Sequence, residues 1–380
     1  MTQPRIAIAG GGTGGHIAPA LALAEQFARL YGKQSVHFLC SGNELERAML
    51  GNAGFDFTSL PVSRPKGTMR SKATTVITTA LAVPMARWAL KKFGASGLIC
   101  VGGYASLPGA LAASLLRLPV VALEANAVPG RVTRAVSRLA CVCYAHMPLT
   151  RGLECRVEVR GNPVRSAFLS PPAPEDARRA LGLDPRLPTL LVMGGSQGAT
   201  AINEVALAAA KALAAWRDRM NLLHITGPQD AERSEAIWRQ AQLNFRVTPF
   251  THNAATWMAA SSLALTRSGA GTISELLVLG VPMLMVPFPA AADDHQRANA
   301  HFVASAGAGV VVPQETLDPT RLAELVQRLM LNEPARLAGR EAALAAANPG
   351  ATAHILAGCL AEFGISAPAA NADGKERAAA

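Results

Sequence analysis

Three short glycine-rich segments are the first candidates for chemistry, at residues 10–15, 101–106 and 194–198. Each follows a short apolar run and leads into a helical pattern. Backbone N–H groups at the start of a helix, together with the helix dipole, favour a bound anion, so each segment can hold a phosphate. Two such sites facing each other across a cleft would suit a donor diphosphate and an acceptor diphosphate.

The first segment also fits a dinucleotide-binding site, because Gly10, Gly12 and Gly15 satisfy the G-x-G-x-x-G spacing. The predicted second strand argues against this alternative, since it ends at Cys40 and Ser41 with no acidic residue to hold a ribose hydroxyl. A P-loop is excluded, because the pattern G-x-x-x-x-G-K-[ST] occurs nowhere in the chain. We therefore expect no cofactor.

His16 follows the first glycine segment and falls in the first turn of the predicted helix. The helix dipole and the neighbouring N–H groups should lower the pKa of the imidazole and keep it neutral at pH 7. A neutral imidazole can act as a general base. The alternative is that His16 only caps the helix or orders the loop.

Glu275 and Arg165 are candidates for contacts with a nucleotide. The turn at residues 268–271, before Glu275, carries only small side chains, as a backbone closely approached by a ligand would. Glu275 also stands three residues after Thr272, which is the spacing of a capping box and would need no ligand. Arg165 could stabilise the negative charge of a phosphate leaving group, or lie solvated in a linker.

Residues 293–296, Asp-Asp-His-Gln, could form a metal cluster. A third ligand is missing, however, and aspartates directly before a helix usually act as caps. We therefore expect no metal, and we interpret Gln296 as a residue that binds sugar hydroxyls.

The elements that must position these residues alternate between apolar strands and helices rich in Ala and Leu. The strand, glycine loop and helix unit starts twice, at Ile6 and at Leu190, and a chain of 380 residues is long enough for two domains. This pattern predicts an α/β protein with two doubly wound parallel sheets. We expect one domain at 1–163, completed by a C-terminal helix near 345–362, a second domain at 164–344, and a disordered tail at 366–380.

The net charge of +10 is concentrated in the basic segment, residues 57–153, where Glu124 is the only acid. The basic residues there are Arg64, Lys66, Arg70, Lys72, Arg87, Lys91, Lys92, Arg117, Arg131, Arg134, Arg138 and Arg151. Residues 69–93 combine several of these cations with apolar side chains, which predicts contact with an anionic membrane surface. Pro84 predicts that this stretch is not one uninterrupted helix.

Other features of the composition favour a cytoplasmic protein. No apolar run is long enough to span a bilayer, the N-terminus has no signal-peptide pattern, and the six scattered cysteines suit a reduced compartment. A basic nucleic-acid-binding protein is an alternative of another class. Aromatic residues make up only 5% of the chain and no stacking run lies in the basic segment, so we expect no nucleic acid partner.

Seven motifs in order resemble the MurG family. They are Gly10-Gly-Gly-Thr-Gly-Gly-His16, Gly102-Gly-Tyr-Ala-Ser106, Glu124-Ala-Asn126 with Gly130, Gly161-Asn-Pro-Val-Arg165, Gly194-Gly-Ser-Gln-Gly-Ala199, Arg267-Ser-Gly-Ala-Gly-Thr-Ile-Ser-Glu275, and His295-Gln296 with Asn299-Ala300. The resemblance extends from about residue 5 to about residue 360. It implies the GT-B fold, with two Rossmann-like domains facing across a cleft.

The activity implied by this resemblance is a metal-independent, inverting transfer of N-acetylglucosamine from UDP-GlcNAc. The acceptor would be the C4 hydroxyl of the muramoyl sugar in undecaprenyl-pyrophosphoryl-MurNAc-pentapeptide (lipid I), and the product lipid II, made for peptidoglycan synthesis. The enzyme would be peripheral, on the cytoplasmic face of the plasma (inner) membrane. A nearer alternative is a GT-B enzyme that glycosylates a diacylglycerol lipid.

The resemblance also assigns site residues, with His16 as the catalytic base. UDP-GlcNAc would bind Thr13, Gly14, Gly15, Asn126, Arg165, Ser196, Thr251, Ala270, Gly271, Thr272, Ile273, Ser274, Glu275 and Gln296, and the acceptor Gly102, Gly103, Tyr104 and Glu124. Two departures from the family pattern bear on specificity. His295 stands where many relatives carry glutamine, and Leu123 and Ala125 replace residues of a common His-Glu-Gln-Asn sequence.

Overall fold

The computed structural model of the chain describes residues 3–12, 14–62, 69–195 and 198–366, and of residues 69–73 it describes only the backbone. Thr13 and Ser196 of the predicted site lie outside the described residues. So do Arg64 and Lys66 of the basic segment, and residues 367–380 of the predicted tail.

Within these described ranges, seven parallel strands form the sheet of the N-terminal domain. They are β1 (Ile6–Ala9), β2 (Val36–Cys40), β3 (Asp56–Ser59), β4 (Gly97–Cys100), β5 (Val120–Glu124), β6 (Val142–Ala145) and β7 (Arg156–Val159). Their order across the sheet is β3-β2-β1-β4-β5-β6-β7. The central strands are continuous apolar runs because helices cover both faces, and Ile8, Ile99 and Val121 are fully buried.

The helices that connect these strands, among the residues that the structure describes, are α1 (Gly14–Tyr31), α2 (Glu44–Ala53), α3 (Met69–Phe93), α4 (Ser106–Leu115) and α5 (Arg131–Val136). α3 is one continuous helix of 25 residues, so the prediction that Pro84 interrupts it is wrong. Pro84 and Ala80, four residues earlier, are both exposed. The carbonyl group that loses its N–H partner to proline therefore lies on the solvent side, where water can replace the donor.

The chain then crosses through α6 (Ser166–Leu169) and α7 (Pro174–Ala180) to a second parallel sheet. Its strands are β8 (Thr189–Met193), β9 (Asn221–Ile225), β10 (Asn244–Thr248), β11 (Leu263–Thr266), β12 (Met283–Met285) and β13 (Gly309–Val311). Their order is β10-β9-β8-β11-β12-β13. The prediction of an α/β fold with two doubly wound parallel sheets is confirmed.

The further helices of the described part of the chain are α8 (Thr200–Ala208), α9 (Ala210–Leu213), α10 (Ala231–Gln240), α11 (Ala254–Ala259), α12 (Ala270–Val278), α13 (His295–Ser305), α14 (Pro319–Val326), α15 (Glu333–Ala346) and α16 (Ala351–Glu362). Shorter helical turns lie at Lys33–Ser35, Ala214–Trp216, Ala292–Asp294, Gln314–Thr316 and Gln327–Leu331. Over the residues that the structure describes, no helix is long and apolar enough to cross a membrane.

The last two helices connect the two domains a second time. α15 packs against α12, and α16 returns to pack against α1. Ile355 and Leu360 of α16 are buried in the same core as Ile17 of α1. The two crossings of the chain meet where Asn348 Nδ2 donates to the carbonyl oxygen of Arg160 over 2.8 Å. Residues of α16 therefore share the hydrophobic core that lies beside the N-terminal sheet.

Candidate active site

The loops after β1 and β4 pack directly on each other at the carboxyl end of the N-terminal sheet. The N–H of Gly11 donates to the carbonyl oxygen of Gly102 over 3.2 Å. A Cβ added to Gly103, whose φ is +81°, would lie 2.3 Å from the carbonyl oxygen of Gly11. No side chain fits between these two backbones, so the glycines permit their close approach. Two predicted acceptor residues thus adjoin the first glycine segment.

A buried carboxylate that was not predicted, that of Glu46 on α2, fixes the first loop. Its Oε1 accepts from the N–H of Gly12 over 2.5 Å. Its Oε2 accepts from Ser41 Oγ and from the N–H groups of Gly42 and Asn43, over distances between 2.6 and 3.1 Å. Asn43 and Glu46 also form a capping box at the start of α2. The three-residue spacing of a capping box can be recognised in the sequence, so the contact between Asn43 and Glu46 could have been predicted.

His16 lies in the first turn of α1, and its partly buried ring contacts the loop after β4. Nδ1 is 3.1 Å from the carbonyl oxygen of Gly11, which can only accept, so Nδ1 carries the proton and Nε2 the lone pair. A Cβ added to Gly102 would lie 3.0 Å from Nε2. Burial lowers the pKa of His16, while the charge of Glu124 opposes the shift. Burial therefore favours the neutral imidazole.

Glu124, at the end of β5, organises the loop that follows. Its Oε1 accepts from the backbone and side-chain N–H groups of Asn126, over 3.0 and 3.2 Å, and its Oε2 from the N–H of Gly130 over 3.0 Å. Asn126 Oδ1 in turn accepts from Nδ2 of Asn299 on α13, over 3.1 Å. Glu124, predicted to bind the acceptor substrate, and Asn126, predicted to bind UDP-GlcNAc, thus belong to one hydrogen-bonded group that reaches the other domain.

Asn299 is a second buried polar residue that was not predicted as part of the site. It stands three residues after Gln296, so both fall on one side of a helix, and both belong to the seventh motif of the family resemblance, which gave Asn299 no role of its own. Its partner Asn126 is distant in the chain and belongs to the other domain. Only the folded arrangement brings the two amides together.

Glu275 and Arg165 form an ion pair, with Oε1 and Nη2 3.0 Å apart. α12 begins at Ala270, so Thr272 lies inside the first turn, no side chain caps the helix, and the capping-box alternative for Glu275 is wrong. Burial raises the pKa of Glu275, and the charge of Arg165 opposes this shift. The guanidinium of Arg165 also lies 4.9 Å from the ring centre of Phe168. Its buried Nε has no hydrogen-bond partner among the described residues.

The first turns of α1 and α12 contact each other at the interface between the two domains. A Cβ added to Gly271 would lie 4.0 Å from the Cα of Gly15. Each helix N-terminus carries partial positive charge, and His16 and Arg165 stand beside them. The arrangement can bind a diphosphate next to a general base. It also brings together the predicted residues at 14–16 and 270–272.

Other predicted donor residues are less directly placed at the cleft. The side chain of Ile273 is buried in the core of its own domain. Ser274 Oγ donates to the carbonyl oxygen of Ala270 over 2.8 Å and lies 3.3 Å from Nε2 of His146, at the domain interface. Thr251 Oγ1 accepts from the N–H of residue 253 over 3.0 Å, in the loop after β10. At Ile273 and Ser274, only the backbone is left for a ligand in the cleft.

The start of α13 and the residues before it make contacts in both domains. Gln296 Oε1 accepts from the N–H of residue 288 over 2.9 Å. The side chain of Asp294, at the N-cap, makes no capping hydrogen bond, and Asp293 contacts Arg131 and Arg134 of the other domain at 3.9 and 3.5 Å. The interpretation of these aspartates as caps is therefore wrong. Within the described ranges, no group of three His, Cys, Asp or Glu residues could hold a metal ion.

Two family models match the chain. The glycosyltransferase family 28 N-terminal domain matches residues 6–144, and the glycosyltransferase family 28 C-terminal domain matches residues 189–354. Together they cover both of the parallel sheets described above, apart from the last strand of the first.

Curated relatives cover nearly the whole chain. The UDP-N-acetylglucosamine–N-acetylmuramyl-(pentapeptide) pyrophosphoryl-undecaprenol N-acetylglucosamine transferase of Cellvibrio japonicus is 38% identical over 370 residues, covering 95% of this chain and 99% of the relative. The enzyme of the same name from Syntrophotalea carbinolica is 34% identical, covering 93% of this chain and 98% of the relative.

Solved structures extend the comparison to the fold. Acinetobacter baumannii MurG is similar with a TM-score of 0.71 and 30% identity, covering 93% of this chain and 98% of that one. A UDP-glucosyltransferase from Polygonum tinctorium has a TM-score of 0.70 at 15% identity, covering 96% and 100%, and shows likeness of fold alone. Two Rossmann-like domains facing across a cleft are the GT-B fold. The chain belongs to the MurG family of glycosyltransferases.

Proposed function

We propose that this chain transfers N-acetylglucosamine from UDP-GlcNAc to the C4 hydroxyl of lipid I, forming lipid II in peptidoglycan synthesis. The observation that carries the proposal is the pair of facing helix N-termini, of α1 and α12, beside His16 and Arg165. The name shared by the relatives from C. japonicus and S. carbinolica states this transfer and supports it over transfer to a diacylglycerol lipid.

The C-terminal domain holds the donor in this proposal. Residues 270–275 surround the ribose and the α-phosphate, and Oε2 of Glu275 accepts from a ribose hydroxyl because the ion pair with Arg165 uses Oε1. Arg165 and the N-terminus of α12 stabilise the negative charge that develops on the departing UDP. The other donor contacts are assigned to Thr13, Gly14, Gly15, Asn126, Ser196, Thr251 and Gln296.

The N-terminal domain presents the acceptor, with contacts assigned to Gly102, Gly103, Tyr104 and Glu124. The C4 oxygen attacks the anomeric carbon from the side opposite UDP. As the new C–O bond forms, the bond from that carbon to the UDP oxygen breaks, which inverts the anomeric centre. Nε2 of His16 takes the proton of the C4 hydroxyl, and the lowered pKa of His16 keeps Nε2 unprotonated at pH 7.

One face of α3, here the α3 surface, suits the lipid that carries the acceptor. Its exposed apolar side chains are Ile77, Leu81, Met85 and Trp88, and the cations beside them are Arg87, Lys91 and Lys92. Trp88 is 60% exposed and Lys92 Nζ lies 4.7 Å from its ring centre. An apolar patch rimmed by cations fits an anionic membrane. The enzyme would then be peripheral on the cytoplasmic face of the plasma (inner) membrane, without a nucleic acid partner.

The test is incubation of the full chain with labelled UDP-GlcNAc and purified lipid I, with a diacylglycerol lipid in a parallel reaction. The proposal expects a labelled disaccharide lipid from lipid I and no labelled product from the diacylglycerol. Transfer to the diacylglycerol alone would overturn the assigned acceptor while keeping the sugar transfer. The absence of transfer to either lipid would overturn the proposed function.

A further inference from the structure

Asn299 is a fully buried amide at the interface between the two domains. Its Nδ2 donates to Oδ1 of Asn126 and to the carbonyl oxygen of Ser268, both over 3.1 Å. Its Oδ1 accepts from the N–H of Ala127 over 2.9 Å. The amide therefore uses both of its protons and its oxygen, and two of the three bonds cross to the N-terminal domain.

The bonds of Asn299 continue into both halves of the candidate site. On one side, Asn126 donates to the carboxylate of Glu124 over 3.2 Å. On the other side, Ser268 Oγ donates to the carbonyl oxygen of Gln296 over 2.7 Å. Ser268 also belongs to the turn that leads into α12. One continuous hydrogen-bonded chain thus runs from Glu124 to Gln296 through Asn299.

The hydrogen bonds of this position require the asparagine side chain. Aspartate would place a carboxylate oxygen against Asn126 Oδ1 and the carbonyl oxygen of Ser268, which are both acceptors. Alanine would leave the N–H of Ala127 and the two acceptors without their partner in a buried interface. Glutamine is one methylene longer, and a fully buried site has no room for it without a shift of its neighbours.

We propose that Asn299 is a positioning residue for the transfer, joining the acceptor-side loop at 124–130 to the donor-side turn at 267–271. It acts through Asn126, whose amide is held between Asn299 and Glu124 when the two domains are together. Separation of the domains breaks two of the three bonds of Asn299. The inference rests on the function proposed above.

A double-mutant cycle in the transfer assay tests this coupling, with Asn126→Ala, Asn299→Ala and the double variant of the full chain. We expect Asn299→Ala to lower kcat/KM by roughly 10- to 100-fold, since it removes bonds to a buried polar group. The kcat/KM of the double variant should be little lower than that of the less active single variant, because both substitutions remove the same contact. If the fold-losses of the two single variants simply multiply in the double variant, the inference is overturned.

Asn221→Ala is the matched control for the loss of a buried amide. Asn221 is fully buried at the amino end of β9, away from the cleft. Its Nδ2 donates to the carbonyl oxygen of Asp184 and its Oδ1 accepts from Asn244, both over 2.8 Å. This variant should lower the thermal midpoint, and its effect on kcat/KM should multiply independently with that of Asn126→Ala. Equal coupling of Asn126 with Asn221 would also overturn the inference.

Two further arms separate the possible failures. Asn299→Ser is smaller and keeps one hydroxyl donor, so it replaces Asn299→Ala in the cycle if the alanine variant does not fold. The wild-type chain reports on the proposed function itself, because the absence of a disaccharide lipid from wild type would overturn that function. A wild-type chain that makes the disaccharide lipid, with independent effects at Asn126 and Asn299, would overturn only the inference.

Discussion

The surroundings of His16 determine what its imidazole can do. The carbonyl oxygen of Gly11 fixes the proton on Nδ1, and burial lowers the pKa of the ring. Nε2 therefore carries a lone pair next to Gly102, where the acceptor is proposed to bind. A general base in the proposed transfer needs both properties, a defined tautomer and a neutral ring.

His16→Ala should lower kcat by about 10²- to 10⁴-fold, the usual contribution of a general base, and leave the Kd for UDP nearly unchanged. In wild type the lowered pKa keeps the ring unprotonated to a lower pH than usual. The fall of kcat/KM at low pH should therefore be centred below the ordinary histidine pKa. The variant should not show this fall. Initial rates across the acid and neutral range, with calorimetry for UDP, measure both effects. Near-normal turnover in the variant would remove His16 from the mechanism.

Glu275→Gln should weaken UDP binding by roughly 10-fold or more, since the variant loses a charged acceptor for the ribose. The substitution keeps the size of the side chain and the start of α12. Glu333→Gln is a matched control, because Glu333 is 70% exposed and forms an ion pair with Arg336 on its own helix. Isothermal calorimetry with UDP compares the three proteins. A changed thermal midpoint with an unchanged Kd would contradict the ribose contact.

At the scale of the element, local patterns account for the starts of the helices at the cleft but not for the contacts between them. Glycine loops after apolar runs predict the strand, loop and helix units, and with them the place of His16 on α1. Glu46 reaches Gly12 across 34 residues, and Asn299 reaches Asn126 across 173. These long-range contacts depend on how whole helices pack, and the spacing of neighbouring residues does not determine that packing.

The predicted helix break at Pro84 and the possible capping box at Thr272 and Glu275 are wrong for the same reason. Pro84 breaks a helix or is tolerated depending on whether its turn faces solvent, and this depends on how α3 packs. The spacing from Thr272 to Glu275 fits a capping box only if the helix begins after Thr272. The helix begins at Ala270, and Glu275 pairs with Arg165 from a distant segment.

The double substitution Leu81→Glu with Trp88→Glu on the α3 surface should weaken binding to anionic vesicles by roughly 10-fold or more, because it removes exposed apolar area and adds negative charge. Co-sedimentation with phosphatidylglycerol vesicles at low and high salt measures the effect. Leu337→Glu is the matched control, since Leu337 is 50% exposed on α15 of the other domain. Unchanged vesicle binding by the double variant would contradict the assigned surface.

At the scale of the whole molecule, the two domains divide the proposed reaction between them. The alternation of strands and helices predicts two sheets, but the strand orders and the return of α16 to α1 depend on long-range packing. The first turns of α1 and α12 meet at the domain interface, and in the proposed reaction both contribute to the site. The division at residues 1–163 and 164–344 remains a proposal on this basis.

A crystal structure of the chain with UDP-GlcNAc tests most directly which domain holds the nucleotide. We predict that the ribose hydroxyls lie within hydrogen-bond distance of Glu275, and that the diphosphate lies between the N-terminus of α12 and Arg165. A nucleotide whose ribose lies on the N-terminal sheet and whose diphosphate lies on residues 10–15, as in a dinucleotide-binding enzyme, would overturn this assignment.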